Sequence, residues 1–315
     1  MDGEQNRPAA RVEVIDAAAA GQRIDNWLLS RLKGVPKSRV YRLLRTGQVR
    51  VNGGRIKAPY RLRAGDRVRI PPVRTAVEGE TPAIPEGVIA RLREAVLHDA
   101  DDLLVIDKPS GIAVHGGSGL AWGVIEALKS REPGFLELVH RLDRETSGCL
   151  LLARSREALL ATQRAFQQGE VEKSYLLLVR SEWPEGRMRV DAPLRRDLQR
   201  GGERVVEVRQ DGREALTEFE AVERYRGATL VRAVLHTGRT HQIRVHAAHL
   251  GHPLAGDDRY GDRAFNRQMR ELGLRRLFLH ASSLVLPVPG RDERLTVSSP
   301  LPEELQDVLN RLENR

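Results

Sequence analysis

Residues 138–153 read LVHRLDRETSGCLLLA. Two apolar runs, Leu136–Val139 and Cys149–Ala153, flank a polar knot holding one carboxylate, Asp143, between Arg141 and Arg144. The runs are expected to be strands, one ending near Leu142 and the next beginning near Gly148. Asp143 then sits on a loop anchored at both ends, which holds a reactive group on a rigid support. Residues adjacent in sequence need not face each other, so neither flanking arginine is assured as a partner. Any cation brought close would favour the ionised carboxylate, which can act as a nucleophile without a partner base. On its own, an aspartate in such a tripeptide is more often structural than catalytic. His140, Asp143 and Ser147 supply the residue types of a hydrolase triad, but three members within eight residues can hardly reach its geometry.

Working outward, LLVIDKPSGIAVH (103–115) reads as a strand, a Lys-Pro-Ser-Gly turn and a second strand. SREALLATQRAFQQGEV (155–171) reads as a helix, with Ser155 as N-cap and Gly169 beyond its end. EKSYLLLVRS, ALTEFEAV, TLVRAVLH, LFLHASSLVL and ERLTVSS read as strands. THQIRVHAAHLG reads as a helix entered from the turn Thr237–Arg239, and PEELQDVLNRLE as a closing helix. Hairpin-joined strands with interspersed helices predict an α+β domain on a mostly antiparallel mixed sheet. Residues 185–213 carry no clear pattern.

The chain has 315 residues and a net charge of +9. Residues 22–72 hold fourteen lysines and arginines against two acids, Asp25 and Asp66, for a net +12, leaving −3 for the rest. A solvated surface would interleave both signs; a focused basic field is the footprint of a polyanion-binding module. Within it RIDNWLLSRLK and VPKSRVYRLLRTG read as two helices, the second with Pro36 near its start and Gly47 past its end. Val40, Leu43 and Leu44 form its apolar stripe, leaving Lys37, Arg39, Arg42 and Arg45 to meet phosphates. Short strands follow, turned at Asn52-Gly53 and Ala64-Gly65-Asp66. The expected organisation is a tail (1–21), this basic unit (22–72), a Pro-containing linker (73–90) and a large domain (91–315). The single cysteine, Cys149, excludes an intrachain disulfide and a cysteine-rich zinc site. No secretory signal and no membrane span is expected, and the expected compartment is the cytoplasm.

Five of nine histidines fall between 236 and 252, but no cysteine or suitably placed acid completes a metal set, so no metal is expected. HGGSG (115–119) could touch a phosphate, though a plain turn is at least as good a reading, and it lacks the lysine of a nucleotide-binding loop.

RIDNWL, PKSRVYRLLRTGQVRVNG and AGDRVRI resemble the S4 RNA-binding domain, which implies that the second helix and its following turn lie on RNA. HRLDRETSG resembles the signature of the RluA-type pseudouridine synthases. KPSGIAVHGG ahead of it, and EKSYLLLV, TGRTHQIRVHAAHLGHPLAGDDRYG and LFLHASSL after it, agree with the family in the family's order, so the resemblance spans about 90–300. It implies isomerisation of uridine to pseudouridine without a cofactor. It also implies Asp143 as the catalytic aspartate, Tyr175 packed on the base and assisting proton removal at C5, and Arg244 paired with the aspartate. Ile243 is expected to touch the base; Arg141 and Arg239 are expected to contact substrate. The expected partner is RNA, specifically 23S rRNA, with the protein acting as a monomer. A tRNA substrate, or a non-catalytic RNA-binding assembly factor, are the alternatives. A target base must leave its helix or loop to reach such an aspartate, at a cost of a few kcal/mol that RNA contacts elsewhere offset.

Overall fold

The structure is a computed structural model that describes residues 10–16, 19–32, 35, 37–73, 83–117, 120–132, 134–200 and 203–314. Pro36, the side chain of Lys37, residues 1–9 and 17–18 of the expected tail and residues 74–82 of the expected linker lie outside the described residues. The chain divides into two compact units, Met1–Ala83 and Ile84–Arg315.

The first unit comprises β1 (Arg11–Val14), α1 (Ile24–Arg31), α2 (Lys37–Arg45), β2 (Arg50–Val51), β3 (Gly54–Arg55) and β4 (Arg67–Ile70). The strands form an antiparallel sheet in the order β1-β4-β2-β3. Residues 11–14, read as tail, therefore belong to this unit as an edge strand. Asn52 and Gly53 both have positive φ, as a two-residue hairpin turn requires. Val40, Leu43 and Leu44 turn into the core with Ile24, Trp27 and Leu28, while Arg39, Arg42 and Arg45 stay exposed. Both acids of residues 22–72 are buried and engaged. Asp25 accepts from Arg23, and Asp66 accepts from Asn52, Tyr60 and the Arg63 amide. No acid of residues 22–72 is left on the surface to offset the basic field.

The second unit runs α3 (Glu86–Glu94), β5 (Val96–Ala100), β6 (Leu103–Lys108), α4 (Val124–Lys129), β7 (Glu137–Leu138), β8 (Ser147–Ala153), α5 (Arg156–Gln168) and β9 (Glu172–Arg180). It continues through β10 (Arg187–Asp191), β11 (Leu194–Arg200), β12 (Glu203–Val208), β13 (Leu216–Tyr225), β14 (Ala228–Leu235), α6 (Gln242–His249) and α7 (Arg263–Glu271). It ends in β15 (Leu279–Pro287), β16 (Arg294–Ser298) and α8 (Glu303–Glu313). A ten-stranded sheet has the central order β10-β13-β14-β9-β15-β8-β6-β5, with β16 on β15 and β7 on β8; β11 and β12 form a separate hairpin. Among the described pairings only β15 with β8 is parallel, so the sheet is mixed and mostly antiparallel.

β8 is buried at every position, and apolar from Cys149 onward, because both of its faces are covered. Leu150 and Leu152 pack in the cluster with Ile89, Leu92 and Leu128 of α3 and α4. Cys149, Leu151 and Ala153 pack in the cluster with Ala158 and Ala165 of α5. α5 starts at Ser155, whose hydroxyl accepts from the Ala158 amide, and stops at Gly169 in the left-handed region.

Three expectations change. Regular pairing on the near side of the knot stops at Leu138, and residues 139–146 form an irregular loop. IAVH, expected as a strand after the Lys-Pro-Ser-Gly turn, pairs with no strand. Residues 86–90, read as linker, begin α3. Residues 185–213 contain β10 and the β11–β12 hairpin.

Two contacts fix the loop that carries Asp143. The buried Lys108 donates to the carbonyls of Pro109, Ile112 and Arg144 at 2.7, 2.9 and 3.2 Å. Burial pushes its pKa down to about 7, yet three acceptors engage all three protons of an ammonium, so the geometry holds the charged form. On the other side, Gly148 has φ +106°, and a Cβ there would lie 2.2 Å from the Ala281 carbonyl oxygen on β15. Gly148→Ala should therefore force β8 from β15 and lower unfolding free energy by roughly 3 kcal/mol. Urea denaturation measures this; a change within about 0.5 kcal/mol, the usual range for surface substitutions, would remove the constraint.

Candidate active site

Asp143 is partly buried, its side chain 25% exposed, on the loop between β7 and β8. Its sequence neighbours turn elsewhere. Arg144 donates to the Gly111 carbonyl at 2.8 Å, and Arg141 is exposed on the cavity rim. The positive charge comes instead from α6: Nη1 of Arg244 lies 3.8 Å from Asp143 Oδ2. His241 Nε2 lies 3.9 Å from the same oxygen.

The entry to α6 is stapled by Gln242. Its side-chain oxygen accepts from the Thr237 hydroxyl (2.8 Å) and the Arg239 amide (3.0 Å), while its amide nitrogen donates to the Leu216 carbonyl and the Thr217 hydroxyl (3.0 Å each). His241 caps the helix in the left-handed region, φ 55°. Arg244, one turn in, makes its strongest contact away from Asp143. Its Nε and Nη2 donate to the two oxygens of Asp257, each at 2.7 Å. Asp257 has a fully buried side chain and also accepts from the Arg259 and Tyr260 amides at 2.9 Å. Burial alone would raise the Asp257 pKa; the Arg244 guanidinium and these amides outweigh it and hold it below the usual carboxylate range. The Tyr260 ring lies under the Arg244 guanidinium, 5.1 Å from its centre.

Asp143 opens into a cavity of about 590 Å3 that Arg141, Tyr175, Arg239, Ile243 and Arg244 also line. The six residues expected in the large domain thus share one site. Tyr175 is 6% exposed on β9, and burial, with the Asp143 charge, raises its pKa well above that of a free phenol. Ile243 is buried, and Arg239 donates from Nε to the Glu214 carbonyl. A wider groove of about 1180 Å3 shares Arg141, Asp143, His241 and Arg244 with the cavity and is further lined by Arg196 and Arg275. Arg39, Arg42 and Arg45 belong to the other unit.

The histidines of 236–252 go to different places. His236 meets Glu218, His246 bridges the Thr217 hydroxyl and the Ala192 carbonyl, and His252 meets the Arg180 carbonyl. In the HGGSG turn, Ser118 and Gly119 lie outside the described residues, and the Gly116 amide donates to Glu126, as does that of Gly123. That carboxylate takes the amides a phosphate would need. His140 accepts from the Leu151 amide and stacks on Phe166, a structural role. Sequence reasoning missed Lys108, His241, Asp257 and Tyr260. The last three lie inside the quoted 237–261 string and Lys108 inside KPSG, but nothing in their spacing announced their partners.

The sequence matches the S4 domain over residues 22–68 and the RNA pseudouridylate synthase family over residues 102–249. Ribosomal large subunit pseudouridine synthase C of Escherichia coli K12 is 51% identical over 98% of each chain. The protein of that name from Yersinia pestis is 50% identical over 96% of each. Among solved structures, human RNA pseudouridylate synthase domain containing 4 superposes with a TM-score of 0.60 at 27% identity, covering 72% of this chain and 96% of its own.

Burial pushes the pKa of His140 down to about 3 and that of His241 down to about 4. A free histidine titrates near 6.5. Between these values the unfolded chain takes up protons that the folded chain refuses, so stability is full above about pH 6.5 and falls as the pH drops toward 4. The urea midpoint should be lower at pH 5 than at pH 7, and His140→Gln, which keeps an acceptor for Leu151, should flatten the difference. Equal midpoints at the two pH values would contradict these assignments.

Proposed function

The chain belongs to the RNA pseudouridylate synthase family, and from that premise we propose that it isomerises uridines of large-subunit (23S) rRNA, with Asp143 meeting the reacting nucleotide. The substrate follows the name that the relatives at about 50% identity carry. The observation that supports the site most strongly is a carboxylate opening into a partly apolar cavity, faced by a guanidinium that a second, buried carboxylate holds.

In the isomerisation the N1–C1′ bond breaks, the base turns, and C5 bonds to C1′. C5 loses its hydrogen and N1 gains one, so atoms and charge balance with no oxidant. Asp143 is the group placed to meet the reacting atoms, and Arg244 holds it charged and oriented. Tyr175 and Ile243 pack against the base. With its pKa raised, the Tyr175 hydroxyl keeps its proton near neutrality, which favours packing over proton abstraction. Arg141 and Arg239, at the cavity, meet the strand around the flipped nucleotide. Lys37, Arg39, Arg42 and Arg45 hold phosphates elsewhere on the RNA. They supply affinity that offsets unstacking, a few kcal/mol. The protein works as a cytoplasmic monomer.

Incubation with unmodified 23S rRNA, followed by chemical mapping, should show pseudouridine at defined uridines, and Asp143→Ala should yield none. Product on tRNA alone would move the substrate; full product from Asp143→Ala would remove the role of that residue. Replacing Arg39, Arg42 and Arg45 together by Gln should raise KM, leave kcat unchanged and lower the slope of log affinity against log salt by about 2. An unchanged slope would take these side chains off the RNA.

A further inference from the structure

We propose that His241, locked in one tautomer by Tyr260, is a positioning residue that joins Arg244 in holding Oδ2 of Asp143, leaving Oδ1 as the oxygen presented to the nucleotide. This rests on the proposed role of Asp143 and adds to it a residue, a tautomer and an atom.

The Tyr260 hydroxyl has one proton to give. Its oxygen accepts from the Val206 amide at 3.0 Å and lies 2.8 Å from Nδ1 of His241. If His241 carried its proton on Nδ1, the Tyr260 hydroxyl would accept twice, and its own proton would have no partner among the described residues. With the proton on Nε2, the amide donates to the hydroxyl, the hydroxyl donates to Nδ1, and every group is used. The same tautomer aims an N–H at a carboxylate rather than a lone pair. Nε2 lies 3.9 Å from Asp143 Oδ2, an electrostatic contact about 1 Å longer than a hydrogen bond.

Two further observations agree. His241 adopts φ 55°, a conformation uncommon outside glycine, and one that sets its ring between Tyr260 and Asp143. The Arg244 guanidinium approaches that same oxygen at 3.8 Å, fixed from behind by Asp257. Two groups, His241 anchored by the Tyr260 hydroxyl and Arg244 anchored by Asp257, thus converge on Oδ2. The anchor of His241 runs back to the β11–β12 hairpin, whose Val206 packs in one small cluster with Val245 of α6 and partly buried Tyr260.

Tyr260→Phe removes the hydroxyl and keeps the ring under Arg244; His241→Leu removes the donor; His241→Gln restores an N–H near the position of Nε2. The first readout is the 15N spectrum of histidine-labelled protein, which separates a protonated from an unprotonated ring nitrogen and needs no substrate. Wild type should show His241 protonated at Nε2, and Tyr260→Phe should shift it toward a mixture. The second readout is steady-state conversion of 23S rRNA uridines. His241→Leu should lower kcat ten- to a hundredfold at unchanged KM, Tyr260→Phe less, and His241→Gln should recover a large part. An Nδ1–H tautomer in wild type, or full kcat in His241→Leu, overturns the proposal. A wild-type protein that converts no RNA overturns the functional reading instead, and the spectrum still decides the tautomer.

Discussion

The bidentate contact between Arg244 and Asp257 is the constraint on which the site depends. A guanidinium near a reactive carboxylate is useful only if it stays put, and an arginine side chain is long and rotamer-rich. Asp257 removes that freedom with two 2.7 Å bonds, and is itself fixed by two backbone amides. One guanidinium nitrogen is left over, and it faces Asp143. Breaking such a buried pair leaves an uncompensated charge, a cost of about 3–5 kcal/mol, so the clamp is structural and electrostatic together.

Asp143 is held with equal care from the opposite side. Its loop hangs between Lys108, which takes the Arg144 carbonyl, and the close approach of Gly148 to β15. The loop and α6 lie far apart in sequence and meet because the sheet brings them together. Tyr175 on β9 pairs with Ala281 on β15, and β15 runs parallel to the start of β8 directly after the loop. The parallel step in an otherwise antiparallel sheet is what sets the Asp143 loop beside the tyrosine strand.

Much of this was legible in the sequence, and the losses have physical causes. Long apolar runs such as GCLLLA and YLLLV announced the central strands. Ser155 and Gly169 announced both ends of α5 because caps are local chemistry. β10, the β11–β12 hairpin and α7 were not announced: α7, RAFNRQMRE, buries only Phe265, Asn266 and Met269 amid arginines. The knot drew attention to Asp143, and the resemblance supplied the expected roles of Asp143 and Arg244. The expected direct pairing of the two is present at 3.8 Å, but it is the weaker of Arg244's contacts. Asp257 was invisible because an ion pair formed across a turn leaves no periodicity. The basic unit was read from its charge, its helical spacing and the S4 resemblance, and the structure adds that both acids of residues 22–72 are buried, leaving neither on the surface to offset the exposed arginines.

The central claim is that Asp257 acts on the reaction through Arg244. A double-mutant cycle tests it most directly, using single-turnover release of tritium from RNA labelled at uridine C5, the position that loses its hydrogen. Arg244→Lys and Asp257→Asn should each slow release, and the double variant should be little slower than Arg244→Lys alone, because the second change then has nothing left to release. Losses that multiply in the double variant would show two independent contributions and contradict the account.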